Sequence, residues 1–168
     1  AKRAGRQQYR FFSPEMNGRA RSRLMLEESL RTAIEQHDFQ LVYQPQIHLQ
    51  TGRLRGFEAL LRWQRAGVGT VSPGLFIPLL EETRLINQVG DWVFHTGVSQ
   101  FLTLPPAFRE QQILSLNVSP VQFSMPSLLD DLRRVLDLPP LDPAQLELEV
   151  NESALMHNLE NTREQLQQ

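Results

Sequence analysis

The stretch LRGFEALLRW, residues 54–63, decides the fold. Its side chains alternate as in a half-buried strand, with Leu54, Gly56, Glu58, Leu60 and Arg62 on one face and Phe57, Ala59, Leu61 and Trp63 on the other. The second set is apolar and needs a cover of helices. The first set holds a carboxylate within an apolar run, which is costly unless a partner meets it. Glu58 and Arg62 therefore point together into a polar interior, such as a barrel or its mouth.

The segments around this stretch alternate between two periods. FQLVYQPQIHL (39–49) reads as a strand, with TGRL as the turn leading into the next one. SPGLFIPLLEETRLI begins a helix, Ser72 at the N-cap and Pro73 in the first turn. A longer helix runs through QVGDWVFHTGVSQFLTL to the break at Pro105 and Pro106. QILSLNVSP (112–120) is a strand, PSLLDDLRRVLDL a helix with Leu128, Leu129, Leu132, Val135 and Leu136 on one face, and QLELEV a last strand. Upstream, Leu24, Leu26, Leu30, Ala33 and Ile34 form a helical stripe. Strands alternating with helices imply parallel pairing and an α/β architecture. A closed (β/α) barrel and an open doubly wound sheet both fit, although no Gly-rich loop follows a strand as an open nucleotide-binding sheet would require.

Composition narrows the chemistry. The chain has no cysteine, which excludes disulfides and thiolate metal sites and suits a reducing cytoplasm. His37, His48, His95 and His157 form neither His-x-His nor HExxH, so no zinc site is expected. No apolar run is long enough to span a membrane, and no secretory signal is visible, so the segment is expected to make no membrane contact. Residues 1–26 carry Lys2, Arg3, Arg6, Arg10, Arg19, Arg21 and Arg23 against Glu15 alone. Such a run can be a nucleic-acid or membrane arm or a solvated connector; few aromatics and no groove-entering motif favour the connector, and no nucleic acid polymer is expected as a partner.

The polar faces of several strands fall into line. Ser115, Asn117 and Ser119 oppose Leu114, Leu116 and Val118; Glu147, Glu149 and Asn151 oppose Leu146, Leu148 and Val150; Gln44 opposes Leu41, Tyr43 and Pro45. Glu58, Asn117 and Glu149 thus lie on the face left free by helices, near strand C-terminal ends, where barrel enzymes hold their chemistry. Two carboxylates and an amide offer oxygen ligands only, the set preferred by Mg²⁺ or Mn²⁺. Arg62 can meet a phosphate or a planar base edge. Each residue also has a structural reading. Glu58 and Arg62 can form an internal ion pair, and Asn117 can be a turn or cap residue before Ser–Pro. Glu149 and Glu147 can be solvated, Glu152 can cap the helix or loop after its strand, and Glu81 and Glu82 fit a solvated helix face.

Four motifs, YQPQIHLQTGRLRGFEALLRW, FIPLLEETRLI, LSLNVSPVQF and LELEVNESALM, resemble in sequence and order those of the EAL domain, the cyclic di-GMP phosphodiesterase family. The resemblance covers about residues 24–168. It implies a TIM-like (β/α) barrel with an irregular first strand, of which this chain holds about the first half. It further implies hydrolysis of cyclic di-GMP to linear pGpG with Mg²⁺ or Mn²⁺. Glu58, Asn117 and Glu149 match the family's metal ligands, Glu58 being the glutamate of the EAL motif itself. Glu152 matches a glutamate that steadies a loop near the catalytic site. Arg62 matches a substrate-contacting arginine, and Gln44 lines the same pocket. The family's aspartate pair and catalytic lysine fall beyond residue 168, so the segment alone is expected to be inactive. A non-catalytic cyclic di-GMP receptor is the alternative. Where this sequence has Leu80, Arg84 and Asn151, the family usually has a small residue, Gly and Thr. Residues 1–16 resemble the C-terminal end of a GGDEF domain, 17–38 a linker helix, and 39–168 the N-terminal part of an EAL domain in a homodimeric protein.

Overall fold

The computed structural model describes residues 14–150, with side chains from residue 21 onward. It begins with helix α1 (Pro14–Gln36), followed by strands β1 (Phe39–Ile47), β2 (Leu54–Arg65) and β3 (Gly69–Val71). Helices α2 (Pro73–Glu82), α3 (Ile86–Leu102) and α4 (Pro106–Arg109) lead to β4 (Ile113–Val118). Helices α5 (Pro120–Phe123) and α6 (Ser127–Leu136) and a 3-10 turn (Pro143–Gln145) lead to β5 (Leu146–Val150). The strand order is β1-β2-β4-β5, with β3 paired to β2.

β2, β4 and β5 are parallel, joined by helical crossovers as the alternation of periods requires. β1 departs from that expectation by pairing antiparallel to β2, from Phe39 opposite Trp63 to Ile47 opposite Leu54. The connection is a tight hairpin in which Gly52 takes φ +66, a left-handed value glycine adopts without cost. Its amide donates to the His48 carbonyl at 2.8 Å.

The register between β1 and β2 shifts between Gln46 and Ile47, which leaves Arg55 without an opposite residue. A bulge of this kind turns the side chains beyond it to the other face. The alternation therefore cannot be carried back through Leu54 as the sequence suggests: Arg55 reaches the inner face.

The outer face is apolar and covered. Leu114 and Leu116 are fully buried, with Val118, Ala59 and Trp63, against Phe94, Val98 and Phe101 of α3. Trp63 packs edge-on to Phe76 of α2 at 5.7 Å, and Phe39 adds contacts to both rings at 6.1 and 6.0 Å. Pairs of this geometry contribute about 0.5–1.5 kcal/mol each beyond the area they bury. α1 docks through Leu30 and Ala33, both buried, while Leu24 of the proposed stripe is 66% exposed. Ser72 occupies the N-cap of α2 in extended geometry, but its hydroxyl makes no capping hydrogen bond. Among the described residues no helix is long and apolar enough to cross a membrane.

Candidate active site

β4 and β5 pair so that Asn117 lies opposite Glu149, and β2 and β4 so that Glu58 lies opposite Ser115. Asn117 is thus two positions further along the same face as Ser115, and its Nδ2 leans back to donate to Glu58 Oε1 at 2.8 Å. Glu58, Asn117, Glu149 and Arg62 all line one cleft of about 290 Å³. Its other wall is apolar, with Ile77, Ile86, Val89 and Val93 from α2 and α3. Gln44 lies directly opposite Glu58 on β1, hence on the same face, and is exposed.

Several structural readings of these residues fail on the geometry. The Arg62 guanidinium donates to the Leu61 carbonyl at 2.9 Å; among the described residues it makes no ion pair with Glu58. Asn117 is not a cap: Ser119 is the N-cap of α5, in a reciprocal box with Gln122. Glu149 accepts a hydrogen bond from Gln46 Nε2 at 3.0 Å, and Glu147 pairs with Arg55, so neither is simply solvated. Glu82, by contrast, stays exposed as a solvated helix face requires, beside Arg23 of α1. Glu81 lines the cleft, and burial pushes its carboxyl above the usual range. Glu152 lies outside the described residues.

The sequence reading put Ser115 on the polar face with Asn117, but Gln46 and Arg55 escaped it. Gln46 could have been found by extending the alternation two residues from Gln44. Arg55 could not, because the bulge that turns it inward leaves no mark in the period-two pattern.

Two carboxylates and an amide oxygen from three neighbouring strands fit a hard divalent cation, provided water or substrate phosphate completes the shell. Among the described residues no three His, Cys, Asp or Glu side chains cluster closely enough to hold a metal ion by themselves.

The model of the EAL domain family matches residues 27–168. The chain belongs to the EAL domain family. It is 43% identical over 159 residues to an uncharacterized Synechocystis protein, covering 95% of this chain and 23% of that protein. It is 38% identical over 158 residues to the bifunctional diguanylate cyclase/cyclic di-GMP phosphodiesterase MucR of Pseudomonas aeruginosa, covering 94% of this chain and 23% of MucR. Among solved structures it is similar to a MucR phosphodiesterase–c-di-GMP complex, with a TM-score of 0.77 and 36% identity over 85% of this chain and 59% of that one. The chain therefore spans about a quarter of the curated relatives and three-fifths of that solved domain. As an EAL domain its fold class is the TIM-like α/β barrel, and β1, β2, β4 and β5 lie side by side in its sheet, with the short β3 off that path against β2.

Proposed function

We propose that this EAL segment supplies the first metal ligands and part of the substrate pocket of a cyclic di-GMP phosphodiesterase that releases linear pGpG. The observation that carries the reading is the convergence of Glu58, Asn117 and Glu149, from three adjacent parallel strands, beside Arg62 in one cleft. The description of MucR as a cyclic di-GMP phosphodiesterase supports it.

In this reading Glu58, Asn117 and Glu149 hold Mg²⁺ or Mn²⁺. The bound cation would activate water and neutralise charge developing on the phosphodiester. Arg62 presents a planar fork of donors to a phosphate oxygen or guanine edge. Gln44 borders the same face, and the apolar wall from α2 and α3 shields the nucleotide from bulk water. Water adds to phosphorus, one of the two phosphodiester bonds breaks, and the ring opens to the linear dinucleotide. Glu152 is assigned to steadying the neighbouring loop. Residues 1–16 are assigned to the end of a GGDEF domain, in keeping with the bifunctional description of MucR.

The test is cyclic di-GMP hydrolysis by the full-length protein carrying this chain, with Mg²⁺ present. Linear pGpG that disappears with Glu58→Ala supports the enzyme. Tight nucleotide binding without product points instead to a receptor.

A further inference from the structure

Below the Glu58–Asn117 pair, the inner face carries a polar layer that ties four strands together, with Gln46 of β1 at its centre. Gln46 Nε2 donates to Glu149 Oε1 of β5 at 3.0 Å. Gln46 Oε1 accepts from Arg55 Nη1 of β2 at 3.1 Å and from Ser115 Oγ of β4 at 3.3 Å. Arg55 is in turn held by an ion pair with Glu147, two residues before Glu149 on β5. Ser115 is fully buried.

This arrangement fixes which way the Gln46 amide points. A guanidinium can only donate, so a flipped amide would set its Nε2 against Arg55, donor facing donor. With Oε1 committed to Arg55 and Ser115, Nε2 is left to Glu149 alone. One oxygen of Glu149 is thereby engaged, and the carboxylate keeps its other oxygen for the cleft that it lines. A ligating carboxylate is ordinarily oriented by such an outer partner, and loss of one typically weakens metal affinity.

We propose that Gln46 is a positioning residue for the metal site, orienting Glu149 from within the barrel, and that Arg55 and Ser115 set its amide. Arg55 does so only because the bulge turns it inward, so the register shift between β1 and β2 belongs to the site. The inference rests on the proposed role of Glu149 as a metal ligand.

The experiment measures Mn²⁺ binding to the full-length protein by electron paramagnetic resonance, without nucleotide, and separately the kcat and KM for cyclic di-GMP. Gln46→Met keeps the length of the side chain and removes both hydrogen-bonding ends. It is expected to weaken Mn²⁺ binding about 10-fold or more, with KM for the nucleotide nearly unchanged. Ser115→Ala removes one of the two donors to Gln46 Oε1 and leaves Glu149 untouched; about a 3-fold loss is expected, on the scale of one neutral hydrogen bond. It carries the test if Gln46→Met does not fold. Mn²⁺ affinity at the wild-type level in the folded variants overturns the positioning role. Glu149→Gln separates the two claims. If it abolishes tight Mn²⁺ binding while the Gln46 and Ser115 variants do not, only the positioning role falls. If it leaves Mn²⁺ binding intact, the ligand assignment falls and the role of Gln46 with it.

Discussion

Asn117 of β4 donates its amide Nδ2 to Glu58 Oε1 of β2 at 2.8 Å, a diagonal contact two positions off the register in which Glu58 faces Ser115. The pair fixes the Glu58 carboxylate without neutralising it, because an amide donor carries no net charge. That is a suitable state for a ligand whose attraction to a divalent cation comes from its charge.

Glu58→Gln tests this. The substituted amide oxygen can still accept from Asn117, so the fold is expected to survive with little change in Tm. Hydrolysis of cyclic di-GMP by the full-length protein is expected to fall at least ~100-fold, about 2.7 kcal/mol of barrier. A rate of pGpG formation near wild type would remove Glu58 from the metal site.

Gly56 is required by packing rather than chemistry. A Cβ built there lies 2.0 Å from the backbone oxygen of Ile113, on the strand paired beside it. The obstacle is backbone, so β2 and β4 must separate to admit it. Gly56→Ala is expected to destabilise by about 2–3 kcal/mol, the upper range for overpacking, read from urea denaturation. Because the separation opens between Glu58 and Ser115, Mn²⁺ affinity should fall in parallel.

These residues also show what the sequence makes legible. The β4 alternation placed Leu114, Leu116 and Val118 under the helices and Asn117 in the cleft, because an uninterrupted strand obeys a strict period of two. The antiparallel course of β1 is not written in its own side chains. Its signal lies in the loop between Ile47 and Leu54, too short for a parallel crossover of about a dozen residues. Arg55 was hidden for a different reason: a bulge is a property of two strands together, and it reverses faces without changing composition. Glu81 was hidden because exposure of a helix face depends on what packs over it. That residue looked solvated beside Glu82, yet it lines the cleft.

Arg84 holds a backbone conformation that glycine would adopt more easily. It follows the C-cap Thr83 of α2 with φ +63, its amide donating to the Glu81 carbonyl at 3.2 Å. A left-handed helix ending favours glycine, and a side chain there costs about 1–2 kcal/mol. Glycine's greater freedom in the unfolded chain offsets about 0.4–1 kcal/mol of the relief. Arg84→Gly is therefore expected to stabilise by up to about 1 kcal/mol, while Arg84→Ala, which keeps the Cβ, should not. Denaturation of the two variants side by side decides the matter, since both lose the contact of the guanidinium with Met125. A glycine variant no more stable than the alanine variant would show that the conformation carries no strain.

Tyr43 links β1 to the covering helix and gives the fold an alkaline limit. Its hydroxyl donates to Gln100 Oε1 of α3 at 2.5 Å, and burial pushes the phenol up to about 12 from its usual 10.0. Between these values the unfolded chain has released the proton and the folded chain still holds it. Unfolding is then accompanied by proton loss, so stability falls as pH rises from about 10 toward about 12. At neutral pH, Tyr43→Phe is expected to cost about 1 kcal/mol, the net value of one hydrogen bond. Over the alkaline window the variant should lose less stability than wild type, so the difference between them narrows. Urea denaturation of both proteins at a series of pH values up to that range measures the difference directly, with other titrating groups cancelling. A gap that stays constant, or widens, would mean that the phenol ionises at least as readily in the folded protein as in the unfolded chain.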